Sequence, residues 1–193
     1  ALGGSCKAIA RDLATVEGLL KACVTHERGC RVVERVVEAF GDDQAFMGPL
    51  LDYLRRNMSS LLRSKFASYI FNTLLLRPAC ASCEGVLDLV FEYKERAVPF
   101  GFFSYTLLLA LEKRPDALGS VLEIDYLHTY LSWLSHEPLL RFVLENDPEG
   151  LAALYRHAMV RMPRRIEDAL LRKAGNTRVD NQDTPISFAL QVV

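Results

Sequence analysis

The chain has 193 residues, half of them hydrophobic and 24% charged, with 23 Lys+Arg against 24 Asp+Glu. This composition excludes disorder, collagen and a disulfide mini-protein, and the length suits one domain or one stretch of a longer array. A formal net charge of -1 carries neither the basic excess that announces a nucleic-acid partner nor the acidity that announces a cation or a basic partner.

No run of about 18 apolar residues is present, so no membrane span is expected. The start, Ala1-Leu2-Gly3-Gly4-Ser5-Cys6, lacks the charged region followed by an apolar stretch that makes a signal peptide. It also lacks a Met, and the last residues stop inside an apolar pattern, so the chain reads as a fragment of a longer protein. The cysteines are Cys6, Cys23, Cys30, Cys80 and Cys83. An odd number without a secretory signal reads as reduced intracellular thiols.

Apolar residues recur at three- and four-residue spacing, and β-alternation is absent. The spacing predicts helices over 10–24, 29–40, 46–62, 66–77, 84–96, 102–113, 120–135, 138–146, 149–161, 164–174 and 184–193. Breakers separate them: Gly41-Asp42-Asp43, Arg77-Pro78, Val98-Pro99, Arg114-Pro115, Asp147-Pro148 and Met162-Pro163. Short helices on short links predict an all-α chain, either an α-solenoid or a compact bundle.

One pattern repeats along these helices. In Gly29-Cys30-Arg31-Val32-Val33-Glu34 a tiny residue, a small polar one and a planar side chain are followed by two apolar residues and a polar one. Ala67-Ser68-Tyr69-Ile70-Phe71-Asn72 has the same order. Ser68 follows Cys30 by 38 residues, Ser104 follows Ser68 by 36, Leu140 follows Ser104 by 36 and Ser187 follows Leu140 by 47. The longer last step points to an insertion, the Arg-rich stretch 161–178. A period near 36 with two helices per unit predicts stacked repeats, in which each unit needs its neighbours to cover its apolar face.

These segments resemble the second-helix motif of the Pumilio (PUF) repeat family. The match is good over 26–76, partial over 100–112 and 184–193, and faint over 138–145. The phrase Lys65-Phe66-Ala67-Ser68-Tyr69-Ile70-Phe71-Asn72-Thr73-Leu74-Leu75 is similar to divergent nucleolar members that act in ribosome biogenesis. The resemblance implies a right-handed α-solenoid of Pumilio-like helical repeats over 1–193. Its best repeats lie at 10–40, 46–77 and 84–113, a degenerate one at 120–146, and the basic insertion and last repeat at 149–193.

It also implies a single-stranded RNA partner, one base per repeat, read by side chains one helical turn apart. The base-edge positions are Cys30 with Glu34, Ser68 with Asn72, Ser104 with Leu108, Leu140 with Leu144, and Ser187 with Gln191. Cys30/Glu34 matches the family's guanine pair and Ser187/Gln191 its adenine pair. Ser68/Asn72 departs from the standard pairs, and Leu108, Leu140 and Leu144 cannot make the paired hydrogen bonds. The stacking positions are Arg31, Tyr69, Tyr105, Arg141 and Phe188, all planar or guanidinium groups.

Charge is unevenly placed. Residues 53–65 hold Arg55, Arg56, Arg63 and Lys65 and no acid; 151–180 hold seven cations against three acids; 116–150 hold seven acids against Arg141 alone. Phosphate contacts are expected mainly from the two basic segments, with Arg164, Arg165, Arg172 and Lys173 as the named positions, while 53–65 reads equally well as a solvated helix face. The acidic 116–150 segment is the expected place for a protein partner.

Competing chemistry is poorly supported. Cys80-Ala81-Ser82-Cys83 is a lone C-x-x-C, and His26, His128, His136 and His157 are scattered, so no metal site is expected. No Walker loop, G-x-S-x-G, H-E-x-x-H or G-x-G-x-x-G is present. The expectation is a non-enzymatic protein with no catalytic residues, no cofactor, no small-molecule substrate and no membrane partner. It acts in ribosomal RNA processing or messenger-RNA regulation, nuclear or nucleolar rather than cytoplasmic. The alternative is a protein-interaction scaffold of the same fold that has lost base reading.

Overall fold

The computed structural model describes residues 2–16, 18–77, 81–131, 136–159 and 161–177. They form thirteen α-helices and one 3-10 turn, with no strand among the described residues. The all-α class expected from the periodicity is what the chain adopts, and the helix order is compatible with an α-solenoid. The chain divides into two compact units, Ala1–Ala117 and Leu118–Val193.

The first unit contains α1 (Leu2–Thr15), α2 (Leu19–Val24), α3 (Glu27–Phe40), α4 (Gln44–Leu61), α5 (Lys65–Leu76), α6 (Ala81–Glu92), α7 (Lys94–Ala97), α8 (Gly101–Lys113) and a 3-10 turn at Pro115–Ala117. Local chemistry sets several starts. The His26 Nδ1 accepts from the backbone N–H groups of Arg28 and Gly29, both at 3.2 Å, and begins α3. The Asp43 carboxylate accepts from the Ala45 N–H at 3.0 Å and begins α4. The helix expected over 10–24 is two helices. Gly18, at φ 79, turns the chain left-handed between α1 and α2, a conformation glycine adopts without steric cost.

The helices of this unit lie in two rows. Helix α5 packs between α3 and α8, while α4 packs between α1 and α6. Val33, Val37, Leu54, Met58, Ile70, Phe71, Leu74 and Phe103 are buried. The Phe71 and Phe103 rings meet edge-to-face at 5.5 Å, joining α5 to α8.

Cations lock the row at the helix C-termini. Arg77, just after α5, donates to the Val37 carbonyl at 2.8 Å and to the Glu38 carbonyl at 3.1 Å, in the last turn of α3. Lys113, the last residue of α8, donates to the Arg77 carbonyl at 3.1 Å. Each cation satisfies carbonyls that a helix end leaves orphaned and sits at the negative end of the helix dipole. Arg114 ties the same end of α8 to Glu84 and Asp88 of α6.

The second unit contains α9 (Leu118–Leu122), α10 (Leu127–Leu131), α11 (Glu137–Asn146), α12 (Pro148–His157) and α13 (Arg164–Thr177). The helix expected over 120–135 is interrupted at 123–126, where Tyr126 takes φ 60. The Asp147 carboxylate accepts from the Gly150 N–H at 2.7 Å and starts α12. The helix expected over 164–174, inside the basic stretch, is α13 and runs for 14 residues. Its Lys173 ammonium donates to the Leu144 and Glu145 carbonyls at the end of α11, both at 2.6 Å. This is the same end-capping that Arg77 and Lys113 perform in the first unit. The helix expected over 184–193 lies outside the described residues.

Two stability measurements follow from these contacts. Arg77→Met should cost about 1–3 kcal/mol in urea unfolding, because it leaves the part-buried Val37 carbonyl without its charged donor. Asp42→Ala, which removes only the exposed ion-pair partner of Arg77 at 3.1 Å, should cost under about 1 kcal/mol. An equal loss in both would place the stabilisation in the ion pair instead.

Tyr155 is buried and donates to the His128 carbonyl at 3.0 Å, and burial pushes its phenol up to about 12, against a smaller opposing pull from Arg165. The unfolded phenol ionises near about 10. Its contribution to stability is therefore complete below about pH 10 and is lost as pH rises towards 12. Burial also raises the Tyr53 phenol, so ultraviolet titration should show a late phase, and Tyr155→Phe should remove its last step near pH 12.

Candidate nucleic-acid interface

Helices α3, α5 and α8 begin at Glu27, Lys65 and Gly101. Arg31, Tyr69 and Tyr105 each stand four residues further on, at the same register of three helices packed side by side. The register is visible in direct contacts. The Arg31 guanidinium lies over the Tyr69 ring, 4.7 Å from its centroid. Next to Tyr105, the Thr106 hydroxyl of α8 donates to Asn72 Oδ1, three residues after Tyr69 on α5, at 2.6 Å.

The structure separates the planar residues from the small ones. Tyr105 and Arg31 are exposed and Tyr69 is half-buried. Cys30, Ser68 and Ser104 are 0%, 1% and 2% exposed. The Cys30 thiol donates to the Glu27 carbonyl at 3.1 Å and the Ser68 hydroxyl to the Lys65 carbonyl at 2.7 Å, each three residues back on its own helix. The Ser104 hydroxyl is buried with no hydrogen-bond partner. The three residues expected to meet base edges are therefore covered. Small size at this position suits the close packing of neighbouring helices, and the sequence pattern alone reads the same for both roles.

Glu34 and Asn72 are also engaged. Both Glu34 oxygens accept from Arg31 Nη1, at 2.9 and 3.2 Å. The hydrogen bonds that Arg31 donates to Glu34 hold its guanidinium protonated to a higher pH than usual. Burial, and then the Glu34 charge, push the Cys30 thiol up, so it stays a neutral thiol at neutral pH. Leu108 is buried, as the apolar face of α8 requires. Gly29 has a structural role: a Cβ there would come within 2.6 Å of the Cys23 Cα, so its size permits α2 and α3 to approach.

In the second unit Arg141 is exposed on α11, 3.9 Å from Glu137, and Leu140 is buried beside it. The expected phosphate contacts divide. Arg165 donates to the Leu131 carbonyl at 3.1 Å and lies 3.5 Å from Glu137, and Lys173 caps α11, so these two serve the fold. Arg164 and Arg172 are exposed, with Arg172 bonded to its own Asp168 carbonyl. Ser187, Phe188 and Gln191 lie outside the described residues. Acids at 116, 123, 125, 145 and 149 are exposed in the segment expected to meet a protein.

Among the described residues, no group of three or more His, Cys, Asp or Glu side chains is placed to hold a metal ion. No helix among them is long and apolar enough to cross a membrane. No protein-family model, curated protein or solved structure matches the chain.

Gly29→Ala should destabilise the first unit by about 1–3 kcal/mol through overpacking against the α2 backbone. Glu34→Ala should move the urea midpoint far less, since its partner Arg31 is exposed. A large loss with Glu34→Ala would make the pair a structural element rather than part of an accessible face.

Proposed function

We propose that the chain is a single-stranded RNA-binding repeat module of Pumilio-like architecture, working without catalysis. The observation that carries this reading is the ladder of planar groups: Arg31, Tyr69 and Tyr105 at one register of three adjacent helices, with Arg31 already stacked on Tyr69 at 4.7 Å. Aromatic rings and guanidinium planes stack on any base, and such contacts bind single strands with little sequence demand. Because Cys30, Ser68 and Ser104 are covered, and Glu34 is only 8% exposed with both oxygens accepting from Arg31, stacking supplies more of the affinity than edge reading, and Glu34 reads a base only by exchanging its Arg31 contact. The resemblance of Lys65–Leu75 to nucleolar family members favours a role in ribosomal RNA processing over messenger-RNA regulation, in the nucleus or nucleolus.

The burial of those three small residues also favours a second reading, a protein-interaction scaffold that kept the helical array without base reading. Fluorescence anisotropy with short single-stranded RNA pools at two salt concentrations separates the two. In the RNA reading, binding appears at low salt. Tyr69→Ala and Tyr105→Ala each weaken it by about 1–3 kcal/mol across sequences. Glu34→Ala relaxes the preference at one base by a similar amount. Absence of binding at low salt overturns the RNA reading and leaves the scaffold.

A further inference from the structure

The basic stretch 53–65 has no acid within it, and the structure arranges its cations around one point. Arg55 and Arg56 stand one turn before Ser59 on α4 and flank its side of the helix, and Arg63 follows in the turn just after α4 ends at Leu61. Across from them, Arg96 of α7 donates to the Ser59 hydroxyl at 3.3 Å, which brings a fourth arginine into the same group. Arg55, Arg56, Arg63 and Arg96 are all exposed, and none forms an ion pair among the described residues. The carboxylates of Asp52 and Glu95 form no ion pair with these guanidinium groups among the described residues, while the Asp52 backbone carbonyl accepts from Arg56 Nε at 3.1 Å.

This cluster contrasts with the expected phosphate contacts on α13, where Arg165 and Lys173 are bonded to backbone carbonyls within the fold. A guanidinium carries five donors: Arg56 gives Nε to the Asp52 carbonyl and Arg96 gives Nη1 to Ser59, so each keeps further donors that can fork onto a phosphate. The cluster also continues into the stacking ladder. Lys65 follows Arg63 at the start of α5 and lies four residues before Tyr69, on the same helix face.

We infer that Arg55, Arg56, Arg63 and Arg96 form a phosphate-binding rim for the backbone of a single-stranded RNA whose bases stack on Tyr69 and its neighbours. The inference rests on the RNA reading for the identity of the ligand. The rim grips the phosphates alike whatever their bases, and the ladder holds the bases, so the two parts separate in their salt dependence and their length dependence.

The test compares the whole chain with its Arg56→Gln/Arg63→Gln/Arg96→Gln variant, whose substitutions are all at exposed positions. Binding of 4-nucleotide and 12-nucleotide single-stranded RNAs is followed by anisotropy across a salt series, with circular dichroism confirming the fold. The variant should lose the extra affinity of the longer RNA while keeping base preference. Its slope of log affinity against log salt should be flatter by about 2, the release expected for three phosphates on a single strand. An unchanged slope overturns the rim.

Tyr69→Ala is the second arm. If it abolishes binding while the triple variant binds normally, the ladder stands and the rim falls. If it binds as well as the unsubstituted chain while the triple variant does not, the rim stands as a plain phosphate contact and the stacking reading falls. Anionic phosphatidylserine vesicles are the third arm. Vesicle binding that depends on these arginines, with an unchanged RNA slope, overturns RNA as the ligand of the rim.

Discussion

Helix α5 holds the first unit in register, because its two neighbours are fixed to it by contacts that tolerate no sliding. On one side Arg31 of α3 lies over Tyr69, and Arg77 reaches back to the last carbonyls of α3. On the other side Thr106 bonds Asn72, Phe103 meets Phe71, and Lys113 takes the Arg77 carbonyl. Apolar packing alone is non-directional and would allow a helix to shift by a turn with modest loss. A hydrogen bond or a stacked guanidinium is directional, and a shift of one turn breaks all of them together. The alignment of Arg31, Tyr69 and Tyr105 is a consequence of this register.

The end-capping cations show how the same solution recurs. A helix leaves its last four carbonyls without partners, and water is the usual remedy. Here Arg77, Lys113 and Lys173 carry that load from the following helix of the same row or pair. Each contact serves twice, ending one helix and docking the next. A basic residue near the end of a helix is visible in the sequence, but its partner lies roughly one repeat earlier. The sequence therefore marks Lys173 as a surface cation available to phosphate, whereas the folded chain uses it internally.

The helices themselves were largely legible. Proline and glycine punctuation placed α3, α4, α5, α8, α11 and α12 to within a few residues at most ends, because apolar periodicity survives wherever one face is buried. The misreadings share a cause. Gly18 and Tyr126 interrupt runs whose apolar spacing continues across the break, so periodicity passes over them. Within 161–178 the periodicity places a helix over 164–174, which α13 matches, while its docking through Lys173 has no mark in the sequence. At the candidate site the planar residues were found from their shared phase. The burial of Cys30, Ser68 and Ser104 was not legible, because a small residue suits a reading position and a close helix contact equally well.

The near-equality of acids and bases is an average over segments that behave differently. The seven acids of 116–150 face a single arginine along the chain, while 53–65 carries four cations and no acid. Long-range attraction to a polyanion depends on the local field within a Debye length of about 10 Å, not on the sum over the molecule. A cluster of exposed arginines gathered around Ser59 therefore attracts phosphate although the chain as a whole is close to neutral. The acidic 116–150 segment works in the opposite sense, since its local field repels a polyanion. In the RNA reading, electrostatics would favour encounter at the arginines near Ser59 over the acidic segment, and the planar groups of α3, α5 and α8 would act on what is held nearby.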